Sequence, residues 1–188
     1  MRIDPKYGEK EQLFAYAGNN PIVYIDAEGL DHLEFIMTTP YGKRGMKGIL
    51  IWCKQEKDTR KPSEPPHWVE AGRWNAVSGS DLHSHIPQGF YIITNIINKI
   101  PDRRFCPSTP CSAGSTMCWE AYIGPRPTPP PRYGIHPDGG CNGTAGCIGI
   151  QDEGSDELYK KLKEYLDING TMGLLVRKGG RLGCQGEG

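Results

Sequence analysis

Beyond residue 31 the apolar positions fall in short blocks rather than in long stripes. Leu33 to Met37, Gly48 to Cys53, Trp68 to Ser78, Gly89 to Ile97 and Trp119 to Gly124 each have strand length. Between them lie Gly/Pro-rich and charged turns such as KDTRKPSEPPH at 57–67. Tyr133 to His136 and Cys147 to Ile150 read as two further short strands on either side of a glycine-rich loop. One segment has helical spacing instead. From about Gly154 to Asp167, Leu158, Leu162 and Leu166 recur at four-residue steps and give one apolar stripe. Ser155 is the expected N-cap, Asp156 and Glu157 suit the first turn, Lys160, Lys161 and Lys163 follow, and Asn169-Gly170 ends the helix. TMGLLVRK at 171–178 reads as a last strand and residues 179–188 as a flexible tail. The pattern predicts a mainly β domain with one notable helix. The 25 glycines and 16 prolines agree, because they favour many short strands over long helices.

Bulk composition narrows the function classes. Lys+Arg and Asp+Glu both total 22, so no basic field draws the chain to nucleic acid or to an anionic membrane surface. At 188 residues, 37% of them hydrophobic, there is room for one ordinary domain and an appendage. No apolar run approaches the roughly 18 residues of a membrane span. The N-terminus also lacks the basic-then-apolar pattern of a signal peptide. Work outside the cytosol therefore requires delivery by something else.

Seven cysteines, at 53, 106, 111, 118, 141, 147 and 184, are many for a cytosolic domain, and an odd number leaves at least one thiol outside any pairing. Cys106, Cys111 and Cys118, in a Pro/Ser/Gly-rich stretch, are expected to form a stapled loop. Free thiols or a zinc site are the alternatives, although no Cys-x-x-Cys pair is present. His83 and His85 could face one side of a strand as metal ligands, but no carboxylate or cysteine partner is evident nearby. No metal site and no cofactor are expected.

Residues 1–31 differ in character. LFAYAGNNPIVYIDAEGL at 13–30 resembles the end of the core of Rhs-repeat proteins, where a Leu-Tyr-Ala-Tyr-x-x-Asn-Asn-Pro segment runs into an Asp-Pro-x-Gly-Leu boundary. Here Ala27 stands in place of the usual proline. The resemblance implies that Asp4 and Asp26 are the self-cleavage aspartates and that the cut falls near Leu30. Paired carboxylates activate water only inside a shell that holds them, so in so short a remnant the pair is expected to be inert. The chain beyond 31 would then be the variable toxin of a secreted Rhs polypeptide.

YGIHPDGGCNGTAGCIGIQDE at 133–153 carries the chemistry. A cysteine is a useful nucleophile only as thiolate, and a nearby imidazole both lowers its pKa and carries its proton to the leaving group. Glycines between the two let backbone N–H groups approach a substrate carbonyl. A His-x10-Cys spacing alone is weak evidence. The fuller pattern, Ile135-His136 followed by Thr144-Ala145-Gly146-Cys147-Ile148, resembles the active-site segment of L,D-transpeptidases, and AVSGSDLHSHIPQGFYII at 76–93 resembles that family's earlier Ser-Gly and Pro-x-Gly-x-Phe/Tyr landmarks. The nearest likeness is to members used as type VI secretion effectors between bacteria.

The resemblance implies a β-sandwich or barrel of short strands over residues 32–178. It makes Cys147 the nucleophile and His136 the base, with either the Pro137 carbonyl or the Asp138 carboxylate as orienting group. Gly146 and the Cys147 amide would serve as oxyanion donors, and Thr144, Tyr133, His85 and Ser80 would lie along the substrate channel. Ala145 replaces a second histidine found in many members, and Gly149 replaces a frequent arginine. The implied reaction is acyl transfer on peptidoglycan tetrapeptide stems, as L,D-carboxypeptidase trimming of terminal D-alanine, as exchange with D-amino acids, or as both. A cognate immunity protein, the remainder of the Rhs polypeptide and its secretion machinery would be partners, and the site of action the periplasm of target bacteria. Papain-like and NlpC/P60-type peptidases place cysteine before histidine, whereas every histidine here precedes Cys147. The alternative of a different class is a non-catalytic binding module stapled by disulfides or zinc.

Overall fold

The computed structural model describes residues 31–56, 67–98, 106, 115–124, 133–139 and 143–184. The chain divides into two units, 1–30 and 31–188, and the first lies outside the described residues together with the aspartates and Leu30 singled out above. The second is mainly β, a closed barrel of eight strands with one helix among the described residues.

In chain order the strands are β1 (His32–Tyr41), β2 (Gly45–Glu56), β3 (His67–Ser78), β4 (Gly89–Asn98), β5 (Trp119–Gly124), β6 (Tyr133–Pro137), β7 (Ile148–Ile150) and β8 (Met172–Lys178); helix α1 (Ser155–Asn169) precedes β8. Around the barrel they run β1-β2-β3-β7-β6-β5-β4-β8, and β8 closes on β1. The β1–β8 and β6–β7 pairs are parallel and the others antiparallel. Every expected strand is present. Several are longer than the apolar blocks alone suggested, because backbone pairing continues into the polar turn residues Thr38–Tyr41 and Lys54–Glu56.

One apolar cluster fills the interior. It takes Leu33, Phe35 and Met37 from β1, Trp74 and Ala76 from β3, Ile135 from β6 and Ile148 and Ile150 from β7, and the α1 stripe of Leu158, Leu162 and Leu166 joins it. Burying one such side chain contributes roughly 1.5–3 kcal/mol, so the leucine stripe holds α1 to the barrel. Its start differs from expectation. Gly154 is the N-cap and Ser155 is already helical and buried, its hydroxyl without a partner among the described residues. The cause lies in the preceding turn, where Asp152 accepts the N–H groups of both Asn75 and Gly154 and draws the chain into the helix one residue early. Asp156 turns away from its own helix to accept from the Thr116 and Met117 amides.

Two disulfides link Cys53 to Cys184 and Cys106 to Cys118. The second staples the cysteine-rich loop as expected; Cys111 and Cys141 lie outside the described residues. Residues 179–184, expected to be loose, have no regular secondary structure but are tied back. Arg177 donates to the carbonyls of Gly179, Arg181 and Gly183, and Cys184 is bonded to β2. No described helix is long and apolar enough to cross a membrane.

Candidate active site

Parallel neighbours such as β6 and β7 ordinarily need a crossover of a dozen or more residues. Here only ten residues of sequence, 138–147, separate the two strands, and glycine at the described positions permits the return. Gly143 (φ +79°) and Gly146 (φ +98°) adopt left-handed backbone, and a Cβ on Gly143 would collide with the Gly79 carbonyl oxygen. The loop is thereby laid against the Ser78–Ile86 segment. Thr144 N–H donates to the Gly79 carbonyl at 2.9 Å and Gly79 N–H donates to Thr144 Oγ1 at 3.1 Å. The two sequence motifs, separated by some sixty positions, form one wall.

Strand register then sets the candidate nucleophile and base. Ile135 pairs with Ile148, and both are fully buried in the interior cluster. Alternation turns His136 to the opposite face. Cys147 immediately precedes β7, and His136 sits one residue beyond Ile135, the β6 partner of Ile148. His136 is buried and Cys147 half-buried. Among the described cysteines, Cys147 alone lies outside a disulfide.

His136 Nδ1 lies 2.7 Å from the Pro137 carbonyl oxygen. A carbonyl only accepts, so Nδ1 carries the hydrogen and Nε2 of the neutral ring carries the lone pair. Of the two orienting groups considered, the Pro137 carbonyl therefore makes a hydrogen bond to the ring. Asp138 is fully buried beside it, its Oδ2 accepting from Gln151 Nε2 at 3.0 Å and its N–H donating to the Ile150 carbonyl.

The peptide units at the cysteine are held from behind. Ser78 Oγ donates to the Gly146 carbonyl at 3.1 Å, and the buried Thr144 Oγ1 donates to the Cys147 carbonyl. In a trans peptide the N–H opposes the C=O, so the Cys147 and Ile148 amides are directed away from Ser78 and Thr144 respectively. Thr144 is in this way a strut. Ser80 has a comparable role, with its Oγ accepting from the Leu82 and His83 amides. His85 Nδ1 bonds the Ile86 carbonyl at 2.8 Å, and among the described residues neither His83 nor His85 joins a metal-ligand cluster.

Tyrosines flank the loop. The Tyr133 ring lies against Gly146, where a Cβ would meet it at 3.0 Å, and makes an edge contact with Tyr91 at a centroid distance of 6.2 Å. Burial pushes the Tyr91 hydroxyl up to about 12, with the neighbouring Tyr133 adding to the shift. An open groove of about 380 Å³ is lined by Tyr41, Gly42, Ser80, Asp81 and Leu82. Tyr41 joins it to the loop, since its ring touches Gly143 and its hydroxyl is raised by burial first and then by the negative charges of Asp138 and Asp81. Sequence reasoning missed Tyr41, Gln151 and Ser78. Tyr41 and Gln151 sit in what read as ordinary turns, and Ser78 was one serine among several in the Ser-Gly landmark.

Gly149 also has a local reason. A Cβ there would meet Thr144 Cγ2 at 2.8 Å and Asp138 Cβ at 3.1 Å, so the position where an arginine was a possible expectation has no room for a side chain. No known protein family and no curated protein matches the chain.

Proposed function

We propose that this unit is a cysteine-dependent acyltransferase acting on peptidoglycan tetrapeptide stems. The observation that supports it is Cys147, a half-buried thiol outside the disulfides that immediately precedes β7, next to the paired strand β6 that carries His136, whose Nδ1 is engaged by a carbonyl so that Nε2 is the basic nitrogen. His136 takes the Cys147 proton, and the thiolate attacks the carbonyl of the third stem residue. The resulting oxyanion is met by the Gly146 and Cys147 amides. Collapse breaks the amide bond, and His136 returns its proton to the departing D-alanine amine, leaving a thioester on Cys147. Water then releases a trimmed tripeptide stem, or a D-amino acid amine takes the acyl group. The groove beside Tyr41 is the path for the stem, and Asp81 offers a carboxylate to a substrate ammonium.

The Rhs-like stretch at 13–30 supports a toxin delivered into the periplasm of a competing bacterium, with an immunity protein made by the producer. Two disulfides fit such an oxidising compartment. Incubating purified sacculi with the protein and separating the muropeptides tests the reaction. Loss of tetrapeptide stems, abolished by Cys147→Ala in a variant with an unchanged circular dichroism spectrum, is the expected result. Unchanged muropeptides, or full activity in the variant, would exclude it and leave the stapled binding module as the reading.

A further inference from the structure

A second set of reactive side chains lies on the far face of β1 from the barrel interior. Since Leu33, Phe35 and Met37 face the core, His32, Glu34 and Ile36 face the other way, and the register sets Cys53 opposite His32. The tail covers this face, with Cys184 and Trp68 packed on the Ile36–Ile51–Cys53 cluster. His32 is 4% and Glu34 0% exposed. His32 Nε2 is 3.4 Å from Glu34 Oε1, and Cys53 Sγ is 3.7 Å from the same oxygen. Among the described residues the buried His32 Nδ1 has no hydrogen-bond partner, so Nε2, turned to Glu34, is the nitrogen the ring offers to this cluster.

Those spacings have a chemical meaning. With zinc bonds of about 2.0–2.1 Å to nitrogen and oxygen and about 2.3 Å to sulfur, the ligand atoms at the corners of a tetrahedron stand roughly 3.3–3.8 Å apart. The observed 3.4 and 3.7 Å fall in that range, and the ligand atoms of His32, Glu34 and Cys53 all lie within 4.8 Å of one another. Cys184, bonded to Cys53, supplies the fourth corner once the bond is broken.

We propose that the reduced chain binds one Zn²⁺ through His32, Glu34, Cys53 and Cys184, and that oxidation exchanges the ion for the Cys53–Cys184 disulfide. A cellular thiol or dithiol supplies two electrons and two protons to open the disulfide and is itself oxidised. Zn²⁺ then displaces both thiol protons to solvent. A disulfide oxidant reverses the sequence, taking two electrons as the sulfurs join and the ion leaves. Charge balances in both states, which a buried site requires. In the oxidised chain Glu34 is neutralised by Arg177, whose Nε donates to Oε2 at 2.9 Å. In the zinc form the dication offsets two thiolates, Oε1 turns to the ion, and the Glu34–Arg177 pair persists. Arg177 also holds the carbonyls of residues 179, 181 and 183, so the tail keeps Cys184 near its partners after reduction. The site is independent of the acyl-transfer reading.

The test uses the whole chain, reduced with excess dithiol, stripped by a chelator and desalted without oxygen. Zn²⁺ is titrated against a chromophoric zinc indicator, and Co²⁺ reports geometry through its tetrahedral absorption and its thiolate charge-transfer band. One tight equivalent in the reduced chain and none in the oxidised chain are expected. His32→Gln and Cys184→Ser should each weaken binding by more than the roughly 10–100-fold that loss of an outer-shell partner causes. Cys147→Ala and Cys118→Ser should bind as the unaltered chain does. Cys184 lies in the half-buried tail, so its variant decides the matter if His32→Gln fails to fold. A reduced chain that takes up no tight equivalent overturns the proposal, as does binding that survives Cys184→Ser or is lost in Cys147→Ala or Cys118→Ser.

Discussion

Replacing Thr144 by valine keeps the shape of the side chain and deletes one hydroxyl, and the structure says what that hydroxyl holds. It accepts from Gly79 N–H and donates to the Cys147 carbonyl, and Thr144 is only 7% exposed. A buried group left unsatisfied costs about 1–3 kcal/mol, so two of them set a gross penalty of about 2–6 kcal/mol. Relief from burying the hydroxyl offsets part of this, and we expect a net loss of about 2–3 kcal/mol. For a domain of this size each kcal/mol lowers the Tm by about 2–4 °C, which gives a fall of about 4–12 °C. Urea unfolding of the oxidised protein measures the same quantity without heat-induced aggregation. Thr144→Ser is the control. It keeps both hydrogen bonds and removes only the methyl that packs at Gly149, so it should cost less than the valine. Because the Cys147 carbonyl loses its tether, alkylation of Cys147 by iodoacetamide should also change its pH profile in the valine variant and not in the serine variant. Valine as stable as the parent, or serine worse than valine, would refute the strut.

Three further outcomes follow from the structure. Gly149→Ala drives a Cβ into Thr144 Cγ2 and Asp138 Cβ; an overpacking cost of about 1–3 kcal/mol should appear in urea unfolding, together with reduced Cys147 reactivity. Opening Cys53–Cys184, which spans 131 residues, should destabilise more than opening Cys106–Cys118, which spans 12; loop-closure entropy gives about 5 against about 3 kcal/mol, read by comparing Cys184→Ser with Cys118→Ser under metal-free oxidising conditions. Tyr91 titrates near 12 in the fold against 10 when unfolded, so the folded form holds its proton longer and stability should be full below pH 10 and decline between pH 10 and 12. Tyr91→Phe should flatten that decline in pH-dependent unfolding, and an unaltered slope would remove Tyr91 as its source.

What was legible in the sequence was local. Apolar blocks placed the strands, and Leu158, Leu162 and Leu166 placed the helix, because each pattern is decided by the face it buries. The helix start was missed by one residue because Asp152 accepts from Asn75, 77 positions away, and no local signal reports that bond. Cys147 and His136 were singled out through a motif, but the hydrogen bond to the Pro137 carbonyl was a matter of ring orientation. Tyr41 and Gln151 were invisible for a different reason: Gln151 meets Asp138 only once β6 and β7 pair, and Tyr41 feels the Asp138 charge from a strand nearly a hundred residues away in sequence. The outer face of β1 was also hidden. His32 and Glu34 carried no sequence signal of their own, and the partner of Cys53 was one among many pairings.

That fold-back of the tail has one more consequence. β1 and β8 run parallel, so the end of β8 at Lys178 lies a full strand away from the start of β1. Residues 179–184 retrace that distance. Cys184 ends 5.5 Å, Cα to Cα, from Cys53, which pairs directly with His32. Entry at residue 31 and exit at 184 therefore stand side by side. A short Gly/Ser bridge joining them, with new ends opened at the Gly42–Arg44 turn, should give a circular permutant that keeps the barrel, and the same adjacency lets the unit be inserted into a host loop at a single point of attachment.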